Sequence, residues 1–270
     1  MTSDERRVVT RHSSLVTLFL LLFAAVVLRS AWLSDDAYIT FRVVDNAAAG
    51  LGLTWNPAER VQGYTHPLWL FVLLAGRLIT GELYYRTIAL SVALSVGATW
   101  LLAFRLRAAW PAAVLGLLVL TLSRAFVDFS TSGLENALSH LLLAAFLVVW
   151  FNLPIAPRAT SADVDSSPAT RPLFILSLLA GLLALNRLDA LLLVAPALGW
   201  ALWQRRSARA LLVVTLGLLP LALWTAFSLF YYGFSFPNTA YAKLATGIAS
   251  AQLARQGGLY LLNSLRWDPL

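Results

Sequence analysis

Apolar runs of about 15 to 20 residues recur along the chain, separated by short polar clusters. They fall at 15–33, 87–104, 109–123, 136–153, 173–186, 190–204 and 210–230. Their Leu- and Ala-rich composition lacks the period-2 alternation of a half-buried strand, so each predicts a helix. Lipid offers the backbone no water, which leaves helices and closed barrels as the structures that cross it. The predicted fold class is therefore all-α, a multi-pass helical membrane protein of about seven spans. Some runs fall short of the ~20 residues that cross a bilayer core, so their helices are expected to extend into the flanks.

Two shorter elements break the rhythm. "SDDAYITFR" follows the first run, and Ser34 in it is placed to cap a helix starting near Asp35 and ending at Gly50. "HPLWLFVLLAGRLITG", 66–81, starts with Pro67 in a first helical turn, contains Arg77 and closes on Gly81. If 66–81 crosses the membrane, all later spans flip. If it is a juxtamembrane or re-entrant helix, the pairs Arg105/Arg107 and Arg205/Arg206 join Arg6, Arg7 and Arg11 on the cytoplasmic side, which agrees with the positive-inside tendency. The second topology is favoured. It gives a cytoplasmic N-terminus over 1–14, a transmembrane domain over 15–230, an outer loop over 34–86 and a cytoplasmic linker over 154–172. Residues 231–270 become an outer-face loop leading towards a further C-terminal part. The N-terminal run is read as a retained span, because Arg29 stands where a signal-peptide cleavage site needs a small residue.

Composition agrees with a membrane protein. Of 270 residues, 59% are hydrophobic and only 12% charged, against about 25% in soluble domains. The net charge of +7 is explained by arginines between apolar runs, so nucleic acid is not expected as a partner. The absence of cysteine excludes disulfides, thiol chemistry and a Cys-based metal site, and His12, His66 and His140 carry no HExxH pattern.

In the favoured topology five polar clusters share the outer face. Asp35 and Asp36 are adjacent, so joint ionisation is disfavoured and one becomes a candidate general base; an ordinary capped helix is the plainer reading. "NPAERVQGYTHPLW" concentrates Glu59, Arg60, Tyr64 and His66 within eight residues. Arg60 and His66 suit a phosphate, and the same stretch also reads as a polar interfacial loop with Trp55 and Trp69 as anchors. Glu135 and Asn136 stand where a span begins, as caps or as pocket lining. Asn186, Arg187 and Asp189 interrupt a Leu/Ala run, with Arg187 and Asp189 as a structural pair or Arg187 meeting an anion. "YYGFSFPNTAYAK" adds aromatic faces, Asn238 and Lys243.

Taken in order, "DDAYITFR…NPAERVQGYTHPLW…GLE…PNTAYAK" resembles the GT-C superfamily of membrane glycosyltransferases, and most closely its terminal arabinofuranosyltransferase-like branch. The resemblance spans most of residues 34–243. It implies a polyprenyl-phosphate sugar as donor and a glycan or protein acceptor outside the cytoplasm, at the outer face of the cell membrane. It implies that Asp35 or Asp36 takes the acceptor proton. Arg42, His66, Arg187 and Lys243 become candidates for the lipid phosphate, and Glu135 and Asn136 for pocket lining. Arg60, Tyr64, Asp189 and Asn238 complete the candidate substrate- or phosphate-binding set. No cofactor is implied beyond the lipid-borne donor. Such enzymes are usually longer than this chain. The rival readings are a lipid-linked sugar transporter, whose charged groups tend to sit near the midplane, and a non-catalytic membrane subunit.

Overall fold

The computed structural model describes residues 3–106, 109–153, 170–244 and 247–269. Residues 154–169 of the expected linker lie outside it. Among the described residues every regular element is a helix: α1 (Ser3–Arg29), α2 (Asp35–Ala48), α3 (Pro67–Thr80), α4 (Tyr84–Arg105), α5 (Trp110–Leu122), α6 (Arg124–Phe129), α7 (Asn136–Phe151), α8 (Thr170–Asn186), α9 (Leu191–Arg205), α10 (Ala208–Gly217), α11 (Leu219–Tyr232), α12 (Asn238–Leu244) and α13 (Ser250–Trp267). A single 3₁₀ turn, Leu188–Ala190, joins α8 to α9.

Each apolar run thus becomes a helix, and the punctuation works as read. Pro67 occupies the first turn of α3, where its missing N–H costs no bond, and Gly81 closes the helix in the left-handed region at φ 74°. The run 210–230 departs from expectation: it is two helices, α10 and α11, bent by 54° at Leu218. Pro220 explains the break, because its ring cannot continue the hydrogen-bond ladder of the preceding turn. The stretch 231–270, expected as a loop, holds α12 and α13. In α13, Leu253, Leu261 and Leu265 recur at helical spacing.

By length and composition α4 alone qualifies as a membrane span among the described residues, and the α10–α11 pair qualifies if counted as one bent span. Five further apolar helices or helix portions are shorter, among them α5, α7 and α8. The core lies between α2, α3, α7, α8, α9 and α10, around Trp69, Leu73, Leu176 and Leu183. The outward surface is apolar too, with Leu21, Leu122, Leu192, Trp203 and Phe230 exposed.

α8 and α10 meet through small residues. A Cβ on Gly217 would run into the Ser177 side chain and the Leu178 backbone, and one on Gly181 would press on the Gly217 carbonyl. Such close backbone approach is how helices associate where burial from water contributes little. Gly217→Leu is expected to force the pair apart at a cost of about 1–3 kcal/mol or more, read as a lower unfolding temperature in detergent.

The helices run between two ends. At one, the Asn152 side-chain amide donates to the Arg105 carbonyl (3.2 Å), so α4 and α7 finish together. At the other, the Ser34 amide donates to the Ser132 carbonyl (2.8 Å), joining the start of α2 to the loop before α7. α2 and α3 pack on each other at this second end.

Candidate functional site

The second end gathers the starts of α2, α3 and α7 and the α8–α9 connection. The 130–135 loop reaches α2 because Gly133 lies in the left-handed region (φ 80°) with Leu33 and Ala37 so close that a Cβ would strike both. The Gly133 carbonyl accepts from the Trp69 indole (2.9 Å), which ties α3 to the same loop.

His66 precedes Pro67 at the head of α3 and is buried. Both ring nitrogens are engaged: Nε2 lies 2.8 Å from Thr40 Oγ1 on α2, and Nδ1 3.1 Å from Glu135 Oε2. The other Glu135 oxygen lies 3.7 Å from Arg187. Arg187 donates to Asn136 Oδ1 (3.0 Å) and makes a two-pronged pair with Asp189 at 3.2 and 3.0 Å. Asn186 holds the junction from below, its amide donating to the Glu135 carbonyl and to Ser139, each at 2.8 Å. A continuous polar path therefore runs Thr40–His66–Glu135–Arg187–Asp189 through four separated segments.

Exposure changes along that path. The side chains of His66 and Glu135 are 8% and 12% exposed, whereas Arg187 is 39% and Asp189 65% exposed. The arginine is the point where the buried network meets the outside. Burial pushes the Glu135 carboxyl up, but the hydrogen bond and charge of His66, with the Arg187 guanidinium behind, more than offset it and hold the carboxyl below the usual range. The hydrogen bond from Arg187 likewise lowers Asp189, and that bond in turn raises Arg187.

The two aspartates separate on α2. Ser34 holds the cap position, yet its buried hydroxyl makes no cap bond; Asp35 instead accepts from the Asp36 amide (3.0 Å). The buried face of α2 is Ala37, Thr40, Phe41, Val43 and Val44. Asp36 stands one turn before Thr40 and so borders that face on the side of His66. Asp35 points away, on the same stripe as Arg42 seven residues on. Both carboxylates are exposed.

The remaining candidates lie further out. Arg42 is exposed, its guanidinium 4.7 Å from the Trp55 ring centre. Arg60 sits 5.0 Å from the Tyr231 ring centre. Tyr64 is buried, its hydroxyl 2.9 Å from that of Tyr232, and burial raises its phenol far above the ordinary value. Asn238 accepts from the Gln62 amide (3.2 Å) and fastens the loop after α11 to the outer loop. The Lys243 side chain lies outside the described residues. A cleft of about 50 Å³ opens beside the cluster, lined by Thr65, Leu185, Leu188, Trp224, Phe236 and Pro237 among others. Among the described residues no group of three or more His, Asp or Glu is arranged to hold a metal ion.

Thr40 and Ser139 are the polar residues that sequence reasoning missed. A Thr or Ser within an apolar helix is commonplace, and only the distance to a partner distinguishes these. Asn186, the last residue of α8, is legible beside Arg187 and Asp189 as a polar break in the Leu/Ala run, whereas its full burial and its bonds to Glu135 and Ser139 are not.

The chain is similar to two curated proteins named terminal beta-(1->2)-arabinofuranosyltransferase. It is 31% identical to that of Mycobacterium tuberculosis over 262 residues, covering 88% of this chain and 39% of that protein. It is 30% identical to that of Corynebacterium glutamicum over 246 residues, covering 80% of this chain and 33% of that protein. The chain thus spans well under half the length of the curated relatives it matches. No protein-family model matches it, and no solved structure does so significantly.

Proposed function

We propose that this chain, a relative of the terminal arabinofuranosyltransferases over less than half of their length, is the membrane-embedded catalytic part of a GT-C-type glycosyltransferase. It moves a sugar, arabinofuranose first among the candidates, from a polyprenyl-phosphate donor to a glycan or protein acceptor outside the cytoplasm. The seven spans are α1, α4, α5, α7, α8, α9 and the bent α10–α11 pair, and α2, α3 and α6 lie at the outer surface. The 13 residues of α5 reach only ~20 Å as a helix, so flanking residues or local thinning complete its crossing. Reporter fusions after Glu82 and Ser130 are expected to read outside, and one after Leu106 inside.

One observation carries the reading. An exposed carboxylate, Asp36, borders the face of α2 from which Thr40 reaches His66, and His66 leads through Glu135 to the half-exposed Arg187. Glycosyl transfer from a sugar phosphate needs a base for the acceptor and a cation for the departing phosphate. In the step, the acceptor oxygen bonds to the anomeric carbon and its proton passes to Asp36. The bond between that carbon and the phosphate oxygen breaks, and the electron pair leaves with the lipid phosphate, which Arg187 receives.

His66 acts differently from a phosphate ligand. With Thr40 on one ring nitrogen and Glu135 on the other, it is a positioning residue that fixes the base-bearing helix relative to Arg187. His66→Gln is expected to lower kcat by about tenfold or more with little change in donor KM, because misplacement costs orientation more than binding. A direct phosphate ligand would raise KM first. Transfer of radiolabelled pentose from a polyprenyl-phosphate donor, in membranes carrying this chain, tests the whole assignment; no transfer above empty membranes, or transfer untouched by loss of both Asp36 and Arg187, overturns it.

A further inference from the structure

α13 has no role in the network above, and its form points outward. From Ser250 to Trp267 every residue is exposed. Leu253, Gly257, Tyr260, Leu261, Leu265 and Trp267 share one side at helical spacing, interrupted by Ser264, and Gln252, Arg255, Gln256, Asn263 and Arg266 occupy the other, with Leu259 and Leu262 among them. The helix contains two arginines and no acidic residue.

Its attachment is as informative as its face. The Asp268 carboxylate accepts from the Ser123 hydroxyl (2.8 Å) and from the Ala125 amide (2.7 Å), at the junction of α5 and α6. Ser123 directly follows Leu122, which is 67% exposed and ends the apolar surface of α5. The end of α13 is thereby fixed where the outward apolar belt of the bundle stops and polar backbone begins. An apolar arc carrying Tyr260 and Trp267, continuous with that belt and backed by arginines, has the composition of a helix lying in a lipid interface.

We infer that α13 is an interfacial helix that lays its Leu253–Leu261–Leu265 arc into the outer leaflet, with Arg255 and Arg266 among anionic headgroups. This rests on the membrane reading above.

The cysteine-free chain makes the test direct. Single cysteines replace Leu261 on the arc, Asn263 on the polar side and Trp100 on α4. The full chain is labelled with an environment-sensitive fluorophore in nanodiscs, with and without anionic phosphatidylglycerol. The inference requires that the label at 261 be quenched by spin-labelled lipid and the label at 263 by aqueous iodide. Arg255→Gln and Arg266→Gln are each expected to weaken the lipid quenching at 261 by about fivefold on the anionic membrane, following ~1 kcal/mol per arginine near such a surface. Iodide quenching at both 261 and 263, with 100 lipid-quenched, overturns the inference and leaves the membrane reading intact. Protection of 261 from both quenchers means protein covers the arc, and overturns it too. A label at 100 untouched by lipid removes the membrane reading and the inference together.

Discussion

Asp36→Asn is expected to lower the rate of sugar transfer by about 10²–10⁴-fold, the usual contribution of a positioned general base, while Asp35→Asn leaves it within about tenfold. The two residues are neighbours of the same type, so the contrast isolates geometry. Asp36 stands one turn before Thr40, the residue through which α2 touches His66. Asp35 lies about 100° around the helix, accepts from the Asp36 amide and favours the helix start as an acidic first-turn residue. Losing that contribution costs stability of about 0.3–1 kcal/mol, not chemistry. Asp36→Glu should recover part of the rate, since it keeps the base and moves it by one methylene. The assay is initial-rate pentose transfer at saturating donor, with thermal unfolding of each variant alongside. Equal losses at both positions, or a greater loss at Asp35, would assign the proton to a different group.

The sequence carried the helices well and the contacts poorly. Apolar runs and their Pro and Gly punctuation located α2, α3 and the longer runs to within a few residues, because side-chain hydrophobicity and backbone permissiveness are local properties. The exception is α1, which begins at Ser3, well before the expected start at 15. Pro220 was equally visible, yet the 210–230 run was read as one helix; a continuous apolar run outweighed the one residue that breaks it. The expected linker 154–172 lies mostly outside the described residues. At the site, Asp36, His66, Glu135 and Arg187 were all legible as costly groups beside lipid. Their partners were not. Glu135 at the head of α7 reads as a cap, and the structure turns its carboxylate to His66, 69 positions earlier, and to Arg187, 52 positions later. His66 reads as a phosphate ligand until both ring nitrogens are seen to be engaged. Arg60 reads as its companion because six residues separate them, and the fold places it on Tyr231. Such pairings belong to the packing of α2, α3, α7 and α8, which no local pattern encodes.

Glu135 should be the most sensitive position in the network, because it serves two partners at once. Glu135→Leu leaves the Arg187 guanidinium without one of its acids and buried His66 without an acceptor at Nδ1; an unsatisfied buried polar group costs about 1–3 kcal/mol, more where a charge is involved. That is a large share of the ~5–15 kcal/mol that holds a typical domain together. Glu135→Gln keeps an acceptor for His66 and removes only the charge, at about 1–3 kcal/mol, so it should fold and expose the functional consequence. With Arg187 held by Asp189 and Asn136 alone, its placement against a departing phosphate loosens, and transfer should fall by about 10²-fold through misorientation. The acid response separates this from a general loss of packing. A carboxyl whose folded pKa lies below its unfolded value, here ordinarily near 4.3, contributes stability that is present above that value and disappears as the pH falls through the lower, folded one. The parent chain should therefore lose stability over that acidic interval, and Glu135→Gln should start lower and lose less across it. Thermal unfolding in detergent from pH 7 downward reads both curves; parallel curves would mean that the Glu135 charge contributes nothing, and the Arg187 assignment would lose its support from below.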